Sequence, residues 1–479
     1  MTATTTLPLR RAVPVLAVVL IADLMDLLDT TIANLAGPSI RADLGGDETT
    51  LQWVLAAYTT TLAIGLVTSG RLGDILGRRR LFLAGMTGFT VASLACGLAP
   101  GVGSLIAARA VQGLAGAVMI PQGFALVKVV FPPDRLRAAL IPFGPIMGLG
   151  TVAGPILAGW LLHLDLFGSQ WRAIFLVNVP IGLLTVILGW FLLPKHSGED
   201  PNLRVDLGGV ALLILASLLL IVPLVEGREF GWPAWSFVMI GAALVATALF
   251  ARWERRSRHP VLPPSLFARR SFVVGLVITG AFFASFTGFQ LAVNLLFQLG
   301  LGWSPLNTGF ALIPWALGTA VAIGLSGAVL AAKFGRSSMQ VGLGVAAAGL
   351  LALWWILDHA TGQFTAWTAA PALFVIGFGS GLVFVPSFDY ILGDATVDEA
   401  GAGSGMLNAV QQFANAIGFA ALGTLFFARA SVGGVAAIFS AAKLVILVAA
   451  ALYVVTLLLV GLLPKHIGVS ESGADATSR

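Results

Sequence analysis

The chain has 479 residues, 58% hydrophobic and only 10% charged, with a mean hydropathy of +0.95. Soluble domains average about 25% charged residues, so this composition excludes a water-soluble globule and points to a bilayer. The net charge of +5 and pI near 9.8 do not indicate a nucleic-acid partner, because the basic residues sit in short connections between apolar runs, where membrane topology accounts for them.

Lipid leaves two ways to satisfy the backbone, helices or a closed barrel. The apolar runs are long and lack a period of two, so the predicted class is an all-α polytopic membrane protein. The pattern predicts fourteen spans, near 13–36, 51–69, 81–99, 104–127, 139–162, 172–193, 207–225, 235–251, 272–296, 308–330, 338–357, 367–388, 404–428 and 440–463. The run after Arg10 and Arg11 is too long for a signal-peptide core and lacks a clear cleavage site, so it is read as a retained first helix.

That first span carries Asp23, Asp26 and Asp29. At 100° per residue, Asp23, Asp26, Thr30 and Asn34 share one face, with Asp29 at its edge. A carboxylate facing lipid is expensive, so this face must point to protein or to water. Asp26 falls near mid-membrane. Asp29 lies further along, at the depth predicted for Arg109 of span four, so the two are expected to approach each other and to leave Asp26 the more accessible. The plain alternative is a polar patch that only packs helices; for Arg109 it is snorkelling to the interface.

Span two leads into Gly70-Arg-Leu-Gly-Asp-Ile-Leu-Gly-Arg-Arg-Arg80. We read this as a connecting loop in which Asp74 caps the next helix or pairs with Arg78. Gly70, Asp74, Gly77, Arg78 and Arg79 form a candidate charge latch between two conformations; the alternative is a basic topogenic turn. This order of residues resembles the signature loop of the major facilitator superfamily. Leu51 to Arg80 is echoed by Leu306 to Arg336, without the acidic residue, and such internal repeats are a transporter plan.

Three further stretches carry the resemblance. Leu28-Asp-Thr-Thr-Ile-Ala-Asn-Leu-Ala-Gly-Pro38 looks like the first-helix signature of the 14-helix drug:proton antiporter family, in which the residue matching Asp29 is linked to proton coupling. Asp23 and Asp26 depart from that pattern. Gly150-Thr-Val-Ala-Gly-Pro-Ile-Leu-Ala-Gly159, with Gly154 and Pro155 at its centre, resembles the antiporter motif of exporters. Small residues at this spacing also suit ordinary helix packing, and Pro155 is expected to kink span five. Trp171-Arg-Ala-Ile-Phe-Leu-Val-Asn-Val-Pro-Ile-Gly182, Trp303-Ser-Pro-Leu-Asn-Thr-Gly309 and Gly403-Ser-Gly-Met-Leu-Asn408 are similar to the same family.

The resemblance implies two six-helix bundles plus two extra helices: residues 1–200, then 201–271 with the extra pair and a linker, then 272–465, with a disordered tail at 466–479. It implies a proton-coupled exporter of lipophilic, cationic drugs or antibiotics, or else a narrow exporter of a single metabolite or antibiotic. The expected partners are that small molecule, protons and the bilayer, and a monomer suffices. Asp389 after Pro386 is a further candidate proton or cation group, equally readable as a solvated interface residue. Glu226 and Glu229 read as solvated loop charges. Arginine-rich connections at 70–80, 128–138 and 252–270 place both termini in the cytoplasm of a bacterial inner membrane. Connection 389–403, acidic yet on that side, fits least. No enzyme activity, cofactor or metal site is expected: there is no Walker A loop, the histidines are scattered, and Cys96 has no second cysteine to pair with.

Overall fold

The computed structural model describes residues 8–45, 48–132, 135, 139, 142–165, 168–194, 206–227, 230–257, 264–326, 330–359, 364–392, 397–430 and 434–463. The expected tail at 466–479 and Glu229 lie outside them, as do the side chains of Asp74, Pro155 and Asp389. The described residues form no strand.

The long helices are α1 (Leu9–Leu44), α2 (Glu48–Leu76), α3 (Arg78–Gly97), α4 (Val102–Val130), α5 (Phe143–Leu164), α6 (Asn178–Leu192), α7 (Leu207–Glu226), α8 (Ala234–Glu254), α9 (Arg270–Leu295), α10 (Pro305–Leu325), α11 (Arg336–His359), α12 (Ala366–Leu392), α13 (Val397–Ile417) and α14 (Gly434–Val460). They follow the fourteen predicted spans in order. Eleven helical segments of the described residues are long and apolar enough to cross a bilayer; α1, α2 and α5 are outside that set, α1 because three carboxylates interrupt its midsection. Connections are short, so successive helices alternate in direction. One end of the molecule, the basic face, carries Arg78, Arg79, Arg80, Arg252, Arg255 and Arg256.

Local chemistry sets the helix ends. Ser304 caps α10 by accepting from Asn307 N at 3.2 Å, with Pro305 opening the helix. Asp206 caps α7 through Gly209 N at 3.0 Å. The predicted loop at 70–80 is a correction. Helix α2 continues through Gly70 and Asp74 to Leu76, and the chain breaks only at Gly77. Gly77 has φ 91° and is itself the cap residue of α3. Glycine is the residue that adopts such a φ without strain.

Helices α1–α6 form one bundle and α9–α14 the other. The seams between them are α2 against α13 and α5 against α10. The extra pair α7–α8 packs on itself and then on α2 and α13. Its outer surface is lipid-like: Phe237, Val238, Leu244 and Val245 of α8 are 59–69% exposed. Toward the face opposite the basic one, a single apolar cluster joins both halves, including Ile32, Leu35 and Leu51 with Phe289, Leu296 and Leu312. Nearer the basic face the first bundle has a core around Phe82, Met86 and Leu126 that reaches Ala409 of α13, and the second has a smaller cluster around Phe272, Leu276 and Leu407.

Polar ties reinforce the far end. Asn294 Nδ2 donates to Asn34 O at 2.6 Å and Gln298 Nε2 to Leu35 O at 2.8 Å, linking α9 and the turn that follows it to α1. Arg172 pairs with Asp43 at 2.6 Å, and Trp171 Nε1 donates to the same carboxylate at 2.9 Å. The hydrogen bonds from Arg172 and then Trp171 hold Asp43 below the usual carboxylate range. Glu226, expected as a solvated charge, instead accepts from Trp53 Nε1. Thr424 Oγ1 donates to Leu224 O at 2.7 Å. Helix α7 is thus fastened to both halves at its far end.

Candidate functional site

The 3.6-residue repeat places Arg109, Gln112, Gly113 and Gly116 on one stripe of α4, and that stripe faces the acidic stripe of α1. Arg109 Nη1 lies 2.5 Å from Asp29 Oδ2, and both side chains are 1% exposed. A buried ion pair is retained only where further hydrogen bonds satisfy it. Here Asp29 Oδ1 accepts from Gln112 Nε2 and from Asn178 Nδ2, each at 2.8 Å. Arg109 donates to Gln112 Oε1 at 2.7 Å and, through Nε, to Val54 O at 3.2 Å. Gln112 also donates to Ser93 Oγ at 2.7 Å, and Cys96 Sγ lies 3.6 Å from Gln112 Oε1. The guanidinium sits over the Tyr58 ring at 4.1 Å and the Phe175 ring at 5.6 Å. Side chains from α1, α2, α3, α4 and α6, together with Phe175 just before α6, therefore close one sealed network.

Asp26 lies one helical turn toward the basic face and differs in kind. Its carboxylate accepts from Tyr58 Oη, Gly116 of α4 leaves room beside it, and it keeps 7% exposure. Tyr58 thereby touches both acidic centres, by its hydroxyl at Asp26 and by its ring at Arg109. Asp23, half-buried, borders a small recess with Phe82, Met119 and Phe124 and does not join the network. The expected meeting of Asp29 and Arg109 is present, and snorkelling of Arg109 is excluded by its burial. Ser93 and Tyr58 were not singled out from the sequence, and Gln112, beside Arg109 in Arg109-x-x-Gln-Gly113, and Asn178, within Trp171–Gly182, stood in marked stretches without a role of their own. Tyr58 had a visible signal: it is one of three tyrosines in the chain and lies inside an apolar run.

The other motifs occupy the seams. Along α5, Gly150 lies against Leu27 and Gly154 against Thr31, both of α1, where any Cβ would crowd the partner. A Cβ at Gly159 would come within 2.5 Å of Leu306 Cα, so the third glycine lets α5 touch α10 of the opposite bundle. In the signature segment, Arg79 Nη2 donates to Trp190 O at 2.5 Å and stacks over the Trp190 ring at 5.5 Å, fixing the start of α3 to α6.

Two helical bundles joined at paired seams, with ionised side chains sealed in the apolar midsection of the first helix, define a polytopic membrane transporter. A profile of the Major Facilitator Superfamily matches residues 19–419, and the chain belongs to that superfamily. It is 44% identical over 425 residues to a probable actinorhodin transporter of Streptomyces coelicolor, covering 88% of this chain and 73% of the relative. It is 38% identical to a puromycin resistance protein of Streptomyces alboniger, covering 86% and 81%. It is 32% identical to a tetracenomycin C resistance and export protein of Streptomyces glaucescens, covering 87% and 76%. Among solved structures, a POT family transporter in complex with 5-aminolevulinic acid aligns with a TM-score of 0.69 at 14% identity, covering 93% of this chain and 96% of that one. That likeness speaks for the fold alone.

Proposed function

We propose that the chain is a proton-coupled exporter of lipophilic antibiotics, working by alternating access between the two bundles, with Asp26 as the residue that exchanges a proton for substrate. The observation that carries this reading is the contrast between the two carboxylates. Every polar contact of Asp29 comes from a donor, one of them a guanidinium, which suits a fixed anchor for Arg109. Asp26 has a single hydroxyl donor and residual exposure, which suits a group that is alternately protonated and charged. A protonated Asp26 still accepts from Tyr58 through its carbonyl oxygen and gains an O–H of its own, and a cationic substrate would take the place of that proton. Each charge moved with the gradient supplies about 2.3 kcal/mol per 100 mV.

Export rather than uptake is supported by the Gly150, Gly154, Pro155, Gly159 segment at the seam and by the relatives' names. Those names, actinorhodin and tetracenomycin C among them, favour a narrow antibiotic substrate over a broad one. On this reading the basic face is cytoplasmic, the membrane is a bacterial inner membrane, and a monomer suffices. Asp23 and Asp389 remain proposals for auxiliary proton or cation groups, as do the domain limits 1–200, 201–271 and 272–465.

The test is transport by purified protein in proteoliposomes with a pH-sensitive dye in the lumen. Asp26→Asn is expected to bind substrate-class antibiotics without substrate-induced proton release. Undiminished proton release from Asp26→Asn would remove Asp26 from the coupling step. Running planar antibiotics beside unrelated cationic dyes separates narrow from broad specificity.

A further inference from the structure

A cavity of about 620 Å³ lies outside the acidic network, between the extra helix pair and the C-terminal bundle. Stripes at helical spacing form its walls, with Leu213 and Ser217 on α7, Thr247 and Glu254 on α8, and Met406 and Phe413 on α13. It is a wedge. At the far end α7 is bound to α2 and α13 by the Trp53–Glu226 and Thr424–Leu224 contacts and by packing of Ile221 and Val225 on Ala56, Ala416 and Ala420. Nearer the basic face the cavity lining is Glu254 and Arg255 at the end of α8, with Phe267 and Ala268.

We propose that this wedge is a binding site for one anionic phospholipid of the leaflet at the basic face. The deep end offers nothing to a polar ligand. Ser217 Oγ already donates to Leu213 O at 2.6 Å and Thr247 Oγ1 to Ala243 O at 2.8 Å, so both hydroxyls are turned back onto their own helices. What remains is apolar and accepts an acyl chain. From Arg255 to Thr247 the α8 wall is about 12 Å long at 1.5 Å per residue, a depth that acyl carbons reach from the headgroup layer.

The rim sets the charge of the head. Arg255 is exposed just after α8, with Arg252 on that helix, Arg256 next in the chain, and Arg269 and Arg270 at the start of α9. Among the described residues, Asp206 and Glu254 are the carboxylates beside these arginines, and both are engaged at the start of α7. Asp206 caps that helix and accepts from Trp253 Nε1 at 2.8 Å; its partial burial works against the charge, but hydrogen bonds from Gly209, Ser257 and Trp253 outweigh that and hold it below the usual carboxylate range. Glu254, 6% exposed, has its carboxylate set against Gly209. Trp253, nearly half exposed, marks headgroup depth. Basic pockets between helices at the cytoplasmic leaflet attract anionic lipid heads, with about 1 kcal/mol per arginine.

The experiment is native mass spectrometry of the full-length purified protein, exposed in turn to palmitoyl-oleoyl phosphatidylglycerol and to phosphatidylcholine with the same acyl chains. Wild type is expected to retain phosphatidylglycerol several-fold better. Arg255→Gln is expected to weaken that retention about fivefold, from the contribution of one arginine, and Ser217→Trp, which fills the slot, to weaken retention of either lipid. Arg41→Gln, on the opposite face, is expected to change nothing. Equal retention of the two lipids by wild type, or an Arg255→Gln variant indistinguishable from it, overturns the proposal. The Arg255→Gln comparison decides alone if Ser217→Trp does not fold.

Discussion

Asp29 and Arg109 are each other's remedy. Either charge alone in this interior would lack compensation, and breaking such a pair by removing one partner costs about 3–5 kcal/mol. Asp29→Asn is therefore expected to lower the thermal unfolding temperature in detergent markedly, and the double variant Asp29→Asn with Arg109→Gln to recover some of the loss. A single variant as stable as wild type would contradict the sealed network. The pairing itself was legible in the sequence, because depth follows from counting residues along two helices at a common rise. The distinction between Asp26 and Asp29 was not. It depends on Gln112, Asn178 and Tyr58, which come from three other helices, and periodicity orders side chains around one helix without saying which neighbour each one meets. Asp26 also occupies a more specific place than the stripe suggested: the hydroxyl of Tyr58 reaches it while the same ring covers Arg109.

At the level of elements, the number and order of helices followed from hydropathy because lipid enforces long uninterrupted apolar runs. The ends did not follow. The glycine-rich, arginine-rich signature reads as a loop, yet helix hydrogen bonding persists to Leu76 and a single residue turns the chain. Glycine and charge lower helix propensity only modestly, and packing against α4 and α13 overrides them. Gly77→Ala tests the turn directly. With φ at 91° the added Cβ is strained by about 1–3 kcal/mol, so the variant is expected to unfold at lower temperature. Gly101→Ala, also at a helix start but in extended backbone, should be milder. Equal behaviour of the two would mean that the turn relaxes without cost. The extra helices illustrate the opposite limit. Their existence was plain from the sequence, but the fastening of α7 to both bundles rests on Glu226 and Thr424, whose partners lie 173 and 200 residues away in the chain.

For the molecule as a whole, the distribution of apolar clusters describes a state closed at the end opposite the basic face, where α1 and α9 are tied through Asn34 and Leu35 and where Gly159 lets α5 meet α10. Opening that end would have to split a continuous cluster and release α7 from one half, at Trp53–Glu226 or at Thr424–Leu224. The lone thiol of the chain lies within the acidic network of the first bundle. Cys96 is fully buried beside Gln112, so a maleimide reaches it only when water does. The chain thus carries its own built-in stopwatch. Alkylation should be slow in the resting protein and accelerate when transported antibiotic is added if the turnover cycle loosens the Asp29 enclosure; an unchanged labelling rate would mean that the enclosure moves as a rigid block while the halves rock around it.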